Sequence, residues 1–250
     1  MTLGEQFKQP RLPGADWHRG DFKRVPHFAS GAKAYAESQG LSHSQRGIAS
    51  TRADPNNIIR IGNIIRDQQG TEQMTPGLAK SYEALKAGIS SQFEHLTKPT
   101  SEGGMGIKVQ YGREDPYSSP QEARADVMKN KRLRVLSTEA TGGMAPGHPM
   151  SNEDNDKFRA VHDAFGHMAT GRNFSRHGEE AAVQHHARMF PPEAHHALFS
   201  ELRGQNSFLI AHKDFPGNQV YNLPQWASKG KAKEPTPKSR GKKPQQLRLF

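Results

Sequence analysis

Thirty residues, KFRAVHDAFGHMATGRNFSRHGEEAAVQHH, run from Lys157 to His186 and carry five histidines, two adjacent glutamates and an aspartate. Apolar residues recur there at every third or fourth place, which asks for helices with one buried face. Burying such a face draws some of the imidazoles and carboxylates in with it. Seven of the thirteen histidines (His162, His167, His177, His185, His186, His195, His196) fall within thirty-five residues. A lone histidine on a helix is an ordinary polar position, but a cluster of this density beside paired glutamates has the composition of a metal site.

Spacing limits how that site can form. In a regular helix, side chains five residues apart point about 140° away from each other. His162 and His167 therefore share an ion only if the helix ends or bends between them. Gly166 is expected to end it in the left-handed conformation and turn His167 back toward His162. Gly178 then permits a fresh helix start, after which Glu179, Val183 and His186 line one face. Two imidazoles and a carboxylate make the donor set of non-haem Fe(II), with Zn(II) or Mn(II) as competitors.

The rest of the chain sets the frame. Its 250 residues suit one core with tails. A hydrophobic content of 33% and a mean hydropathy of −0.87 leave part of it outside that core. The N-terminus MTLGEQFKQPRLPG lacks the apolar stretch of a secretory signal, and no apolar run has membrane-spanning length. The expectation is a soluble protein with no export route and no membrane partner. The absence of cysteine excludes disulfides and thiolate metal sites. The net charge of +10 is uneven, because residues 228–250 hold eight Lys or Arg against one Glu. A basic tail of that kind supplies salt-sensitive phosphate affinity without a DNA-binding face on the fold.

The pattern predicts a mainly α fold with a small two-stranded β element. A single irregular helical domain over residues 51–227 carries the metal site, flanked by a flexible, extended arm over 1–50 and a disordered basic tail over 228–250. The arm has isolated aromatics (Trp17, Phe22, Phe28, Tyr35) and one short helix near residues 32–38. Asp54-Pro55 opens a helix on the stripe Ile58, Ile61, Ile64, Ile65, and Thr75-Pro76 opens another on Leu78, Tyr82, Leu85, Ile89, Phe93 and Leu96. Residues 107–111 and 133–136 read as strands, with a helix capped by Ser119 between them. After a Gly/Pro-rich loop, Asn152 or Asn155 is expected to cap the first histidine-bearing helix, and breaks are expected at Gly171, Gly178 and Pro191-Pro192.

Three resemblances extend this reading. HDAFGH, residues 162–167, resembles the HDxFGH or HExxGH iron motif of the pterin-dependent aromatic amino acid hydroxylases, where both histidines and a later glutamate ligate iron. That likeness implies His162 and His167 as ligands, with Glu179 or Glu180 as the carboxylate. It covers six residues, and the glutamates follow His167 at twelve and thirteen residues, a spacing that departs from the hydroxylase pattern. Residues 54–224, with DPYSSP, VMKNKRL, FRAVHDAFGH, GEEAAVQHHARMF and ELRGQNS, resemble an uncharacterised domain of bacteriophage proteins, which implies a phage context and the cytoplasm of an infected bacterium. The last five residues, QLRLF, resemble the QLxLF peptide that binds the bacterial DNA polymerase sliding clamp. The likeness implies a host or phage clamp as partner, with Gln246 as hydrogen-bonding group and Leu247, Leu249 and Phe250 in or beside its apolar pocket.

The expected roles follow. His162, His167 and Glu179 are the ligands, and Glu180 is the alternative third ligand or a general base. His186 is a fourth ligand or a base beside the site, and Asp163 orients an imidazole. Arg203, Gln205 and Asn206 of RGQNS either contact phosphate or base or tie a loop to the metal helices. His195 and His196 are expected at the surface. Together these describe a phage-encoded iron enzyme that hydroxylates or otherwise modifies DNA bases or nucleotides and is recruited to the replication fork. A zinc- or manganese-dependent hydrolase or nuclease on the same residues is the near alternative, and a non-catalytic DNA-binding, clamp-binding or virion protein the distant one.

Overall fold

A proline opens each of α1 (Pro26–Ser38), α2 (Pro55–Gln68), α3 (Pro76–Thr97) and α4 (Pro120–Asn130), a position where its fixed φ fits and its missing N–H costs nothing. These helices come from a computed structural model that describes residues 22–44, 46, 48, 51 and 53–227. Asp54, Thr75 and Ser119 act as the expected caps, accepting the N–H groups of Asn56, Leu78 and Glu122 at 2.9, 3.2 and 3.2 Å. Residues 1–21 of the arm expected over 1–50, and the basic tail with Gln246, Leu247, Leu249 and Phe250, lie outside the described residues.

Residues 26–38 lengthen the short helix expected near residues 32–38 into a segment expected as extended arm. They form the full helix α1, which buries Phe28, Ala32, Tyr35 and Ala36 in the main core. The apolar signal was weak because the contact face uses small residues; a Cβ on Gly31 would fall 2.5 Å from the Met105 sulfur. The chain enters α1 pinned to the segment that follows the first histidine pair. Phe22 N–H donates to the Gly171 carbonyl at 2.9 Å, and Val25 N–H to that of Met168 at 2.8 Å. Gly171 has φ +75°, and a side chain there would run into the Phe22 carbonyl at 2.3 Å.

The strands β1 (Lys108–Gly112) and β2 (Arg132–Leu136) pair in parallel, with Val109 opposite Leu133. Parallel neighbours need a crossover, and α4 supplies it. Asp126 of α4 ties that crossover to β2. Its carboxylate accepts Arg132 at 2.9 and 3.1 Å, Arg134 at 3.3 Å, Tyr117 at 3.0 Å and Asn130 at 2.7 Å.

α5 (Asn152–His162) begins at Ser151, which forms a reciprocal capping box with Asp154. Neither asparagine caps it: the Asn152 side chain instead accepts Met144 N–H at 2.8 Å, and that of Asn155 is buried and donates to Thr138 Oγ1 at 3.0 Å. α5 runs without a break into a π-helical turn, Asp163–Met168. α6 (Arg176–His186) follows, capped by Ser175, so it starts ahead of Gly178 rather than at it. α7 (His195–Phe199) runs into a second π-turn, Ser200–Gly204, which leads to α8 (Gln205–His212).

The molecule is mainly helical, with this two-stranded parallel sheet at one edge. α3 lies against α5 and α7, and both α1 and α6 lie against the first π-turn. A smaller apolar cluster of Ile61, Ile65, Phe208, Tyr221 and Leu223 joins α2 to α8. Gly62 makes that contact close, since a Cβ there would meet Ala211 Cβ at 2.6 Å. Among the described residues, no helix is long and apolar enough to cross a membrane.

Burial opposes the charge on Asp126, yet the Arg132 guanidinium, the Asn130 amide and the Tyr117 hydroxyl hold its pKa down to about 2. A carboxylate depressed below its unfolded value of about 3.9 stabilises the fold above that pH and loses the effect as pH falls toward its folded pKa. Asp126→Asn is therefore expected to lower the unfolding free energy by about 2 kcal/mol at neutral pH. In urea titrations the gap from the parent should close as pH falls from about 4 to about 2; a gap that stays constant would show that charge contributes nothing there.

Candidate metal centre

The first π-turn does what the sequence assigned to a helix end. A turn that closes its hydrogen bonds from i to i+5 brings residues five apart onto nearly the same face. Ala169 N–H reaches the Ala164 carbonyl, and the rings of His162 and His167 meet edge to face with centroids 5.0 Å apart. Gly166 does not adopt a positive φ, so the expected left-handed stop is corrected. Its value lies in space: a Cβ there would sit 3.0 Å from the His162 ring and 3.2 Å from Ala182 of α6.

Helix-end carbonyls must find donors. Phe165 O takes His185 Nδ1 at 2.6 Å, and Gly166 O takes the Thr170 hydroxyl at 2.6 Å. His167 O takes Gly171 N–H at 2.8 Å, and Met168 O takes Val25 N–H at 2.8 Å. His185 thus has a structural role that the sequence did not reveal, and burial holds its pKa down to about 3, keeping the ring neutral.

α6 adds the carboxylate. Glu179 lies 3.3 Å from His167 Nε2 and 3.6 Å from His162 Nε2, and one ligand atom from each of the three residues lies within 4.8 Å of the others. Ligand atoms that share one ion in adjacent positions are about 3.0–3.4 Å apart when each bond is about 2.1 Å. Two of the pairs already approach that spacing. Among the described residues His162 Nε2 is buried without a hydrogen-bond partner, 3.6 Å from Glu179 Oε2, so a cation bound there would satisfy it. The group fits a single divalent ion held by two imidazoles and one carboxylate, with its remaining positions free for other ligands.

Burial works against charge on His167, but Glu179 and Asp163 together push its pKa up to about 9. Glu179 is likewise opposed by burial, yet the charge of His167 beside it holds it down to about 2. Burial lowers the pKa of His162. His167 therefore stands as a proton-bearing imidazolium paired with Glu179.

The remaining expected residues divide. Glu180 is not brought to the group: its carboxylate receives the Arg203 fork, Nη2 to Oε1 at 2.6 Å and Nε to Oε2 at 2.9 Å, with Gln184 at 2.9 Å. Of the two adjacent glutamates, the geometry thus favours Glu179 as the third donor and turns Glu180 toward Arg203. His186 is fully buried behind His162, with Nδ1 3.2 Å from His162 Nδ1 and Nε2 2.7 Å from Gln92 Oε1, so neither nitrogen is left for an ion or substrate. Seven residues along α6 from Glu179 keep it on the same face but about 10 Å further along the axis. Asp163 orients neither imidazole; His167 Nδ1 bonds the Arg172 carbonyl at 2.9 Å instead. Burial pushes the Asp163 carboxyl up to about 6, and the charges of His167 and Glu179 reach it.

Arg203 is engaged with Glu180, packs its guanidinium 4.3 Å over the Phe199 ring and bonds the Ala227 carbonyl. Gln205 donates to Glu201 at 3.0 Å, while Asn206 Oδ1 is buried without a partner. Of the two readings of RGQNS, the geometry favours tying elements together. His195 and His196 are half-buried and bond the carbonyls of Ala187 and Leu223 at 2.9 and 2.8 Å. Sequence reasoning missed Gln92, although a signal existed: it is a polar residue on the apolar stripe of Leu85, Ile89 and Leu96.

Comparison with known protein families, curated proteins and solved structures finds no match to this chain. The local geometry therefore carries the functional argument.

Two outcomes test the assignments. Arg203→Ala leaves Glu180 without its cation and is expected to cost about 3 kcal/mol in chemical denaturation and, by loosening α6, to weaken metal binding without abolishing it, whereas Glu179→Gln is expected to lose metal binding. Because binding requires His167 neutral, metal uptake at pH 7 should release close to one proton, and the apparent affinity should rise with pH until about 9. Calorimetry in buffers of different ionisation enthalpy reads this directly, and a proton count near zero would show His167 already neutral.

Proposed function

We propose that the protein is a metal-dependent enzyme whose His162, His167 and Glu179 hold one divalent ion, with Fe(II) as the first candidate. The single observation that carries this reading is the buried His-His-Glu group with an unpartnered His162 Nε2. An imidazole, a second imidazole and a carboxylate on adjacent positions are the donor set that lets Fe(II) activate dioxygen at its open positions. In such a hydroxylation one oxygen atom enters a C–H bond of the substrate. The other leaves as water, with two electrons and two protons supplied by a reductant.

The substrate part of the proposal is a DNA base or nucleotide. Its support is the likeness to a bacteriophage domain together with the terminal QLRLF, whose Gln246, Leu247, Leu249 and Phe250 would engage a sliding clamp and bring the enzyme to replicating DNA in the infected cell. The basic residues ahead of that peptide would add phosphate affinity.

One observation favours a second reading. The Asp163 carboxylate makes no hydrogen bond among the described residues yet lies within electrostatic reach of His167 and Glu179. Were Zn(II) or Mn(II) held by the same three residues, Asp163 would be the candidate carboxylate to take a proton from a bound water, which is hydrolytic chemistry.

Metal analysis of protein purified without added metal separates the readings. Near-stoichiometric iron supports the oxygenase, zinc or manganese the hydrolase, and no metal from any source a non-catalytic protein. Digestion of DNA from infected cells to nucleosides then tests the substrate: a hydroxylated base is expected, and an unmodified nucleoside set would overturn DNA base modification.

A further inference from the structure

The geometry points to Gln92 as a positioning residue that, through His186, holds His162 in the one tautomer able to bind a metal. This inference deepens the metal reading and rests on it. Four groups form a single line. Gln92 Nε2 donates to the Met189 carbonyl at 3.2 Å, and Gln92 Oε1 faces His186 Nε2 at 2.7 Å. His186 Nδ1 faces His162 Nδ1 at 3.2 Å. All three side chains are buried.

The line has a direction. A carbonyl only accepts, so the Met189 oxygen fixes which end of the Gln92 amide is the donor and leaves Oε1 toward His186. His186 Nε2 must then carry the proton. A neutral imidazole has one N–H, so His186 Nδ1 is the acceptor and His162 Nδ1 the donor. His162 is left with its lone pair on Nε2, the nitrogen 3.6 Å from Glu179 and without a hydrogen-bond partner. If Gln92 were reversed, His162 would carry its proton on Nε2 and present an N–H to the cation.

Packing makes the line stiff. His186 is held between Phe158 and Phe190, with ring centroids at 6.2 and 5.0 Å, and the His162 ring packs so close to Gly166 that a Cβ there would lie 3.0 Å from it. Partners of this kind hold a ligating imidazole in place and raise its basicity, and their loss typically costs about 10- to 100-fold in metal affinity.

Co(II) is the probe, because its visible absorption reports the ligand field and its affinity can be measured against a chelator. Gln92→Leu in the full chain keeps the side-chain size but removes both partners, and is expected to weaken Co(II) binding by about 10- to 100-fold. Gln92→Glu keeps an acceptor toward His186 Nε2–H but loses the N–H that Gln92 gives the Met189 carbonyl, and is expected to bind Co(II) more tightly than Gln92→Leu, with absorption bands shifted from the parent. Thermal melts in chelator confirm that each variant is folded. If Gln92→Leu does not fold, Gln92→Glu carries the test alone, and a shifted spectrum supports the relay. A folded Gln92→Leu that binds within about twofold of the parent, or a Gln92→Glu with an unshifted spectrum, overturns the relay and leaves the metal site standing. A parent protein that binds no Co(II), Fe(II) or Zn(II) overturns both.

Discussion

A helix that closes from i to i+5 gives up the regular spacing of its neighbours' hydrogen bonds, and it persists only where surrounding groups take the carbonyls it leaves over. The turn at Asp163–Met168 meets that condition on three sides. His185 of α6, the Thr170 hydroxyl and Val25 at the entry to α1 each cap one carbonyl. The elements that hold the turn open are thus the ones that enclose it. What the wide turn yields is the convergence of two imidazoles that a regular α-helix would set on opposite sides.

Buried carboxylates show why Glu179 is the one suited to a cation. Asp126 faces two guanidiniums, an amide and a hydroxyl. Glu180 faces the Arg203 fork. Glu201 receives Tyr82, His148 and Gln205. Each of those three is met by several hydrogen-bond donors of fixed side chains. Glu179 is balanced by a proton on His167, and a proton is a labile partner. Exchanging it for a divalent ion costs one deprotonation and relieves the unpartnered His162 Nε2 in the same step.

Much of this was written in the sequence, and the exceptions have physical reasons. Caps at Asp54, Thr75 and Ser119, the stripe of α3 and the two strands follow from local chemistry, in which a residue and its near neighbours decide the outcome. His162, His167 and Glu179 were legible as donors for the same reason. The π-turn was not, because nothing in HDAFGH separates a wide turn from a helix end; Gly166 suits either, and only the His162 ring and Ala182 packed around it decide. α1 was underread because small residues carry its contact face. The partners of Glu180 and His186 come from Arg203 and Gln92, residues far away in sequence, and no local pattern announces such a pairing.

The second π-turn explains how the aim of Glu179 is set. Glu179 and Glu180 are adjacent on α6 and so point about 100° apart around its axis. Arg203 belongs to the turn at Ser200–Gly204, whose neighbouring Glu201 is fixed by Tyr82 of α3 and by His148. The fork from Arg203 to Glu180 therefore connects α6 to an anchored element and fixes its rotation. With Glu180 held, Glu179 has one direction left, and that direction is toward the imidazoles of the first π-turn. The RGQNS segment then serves the metal group without touching it, by holding the helix that delivers the carboxylate.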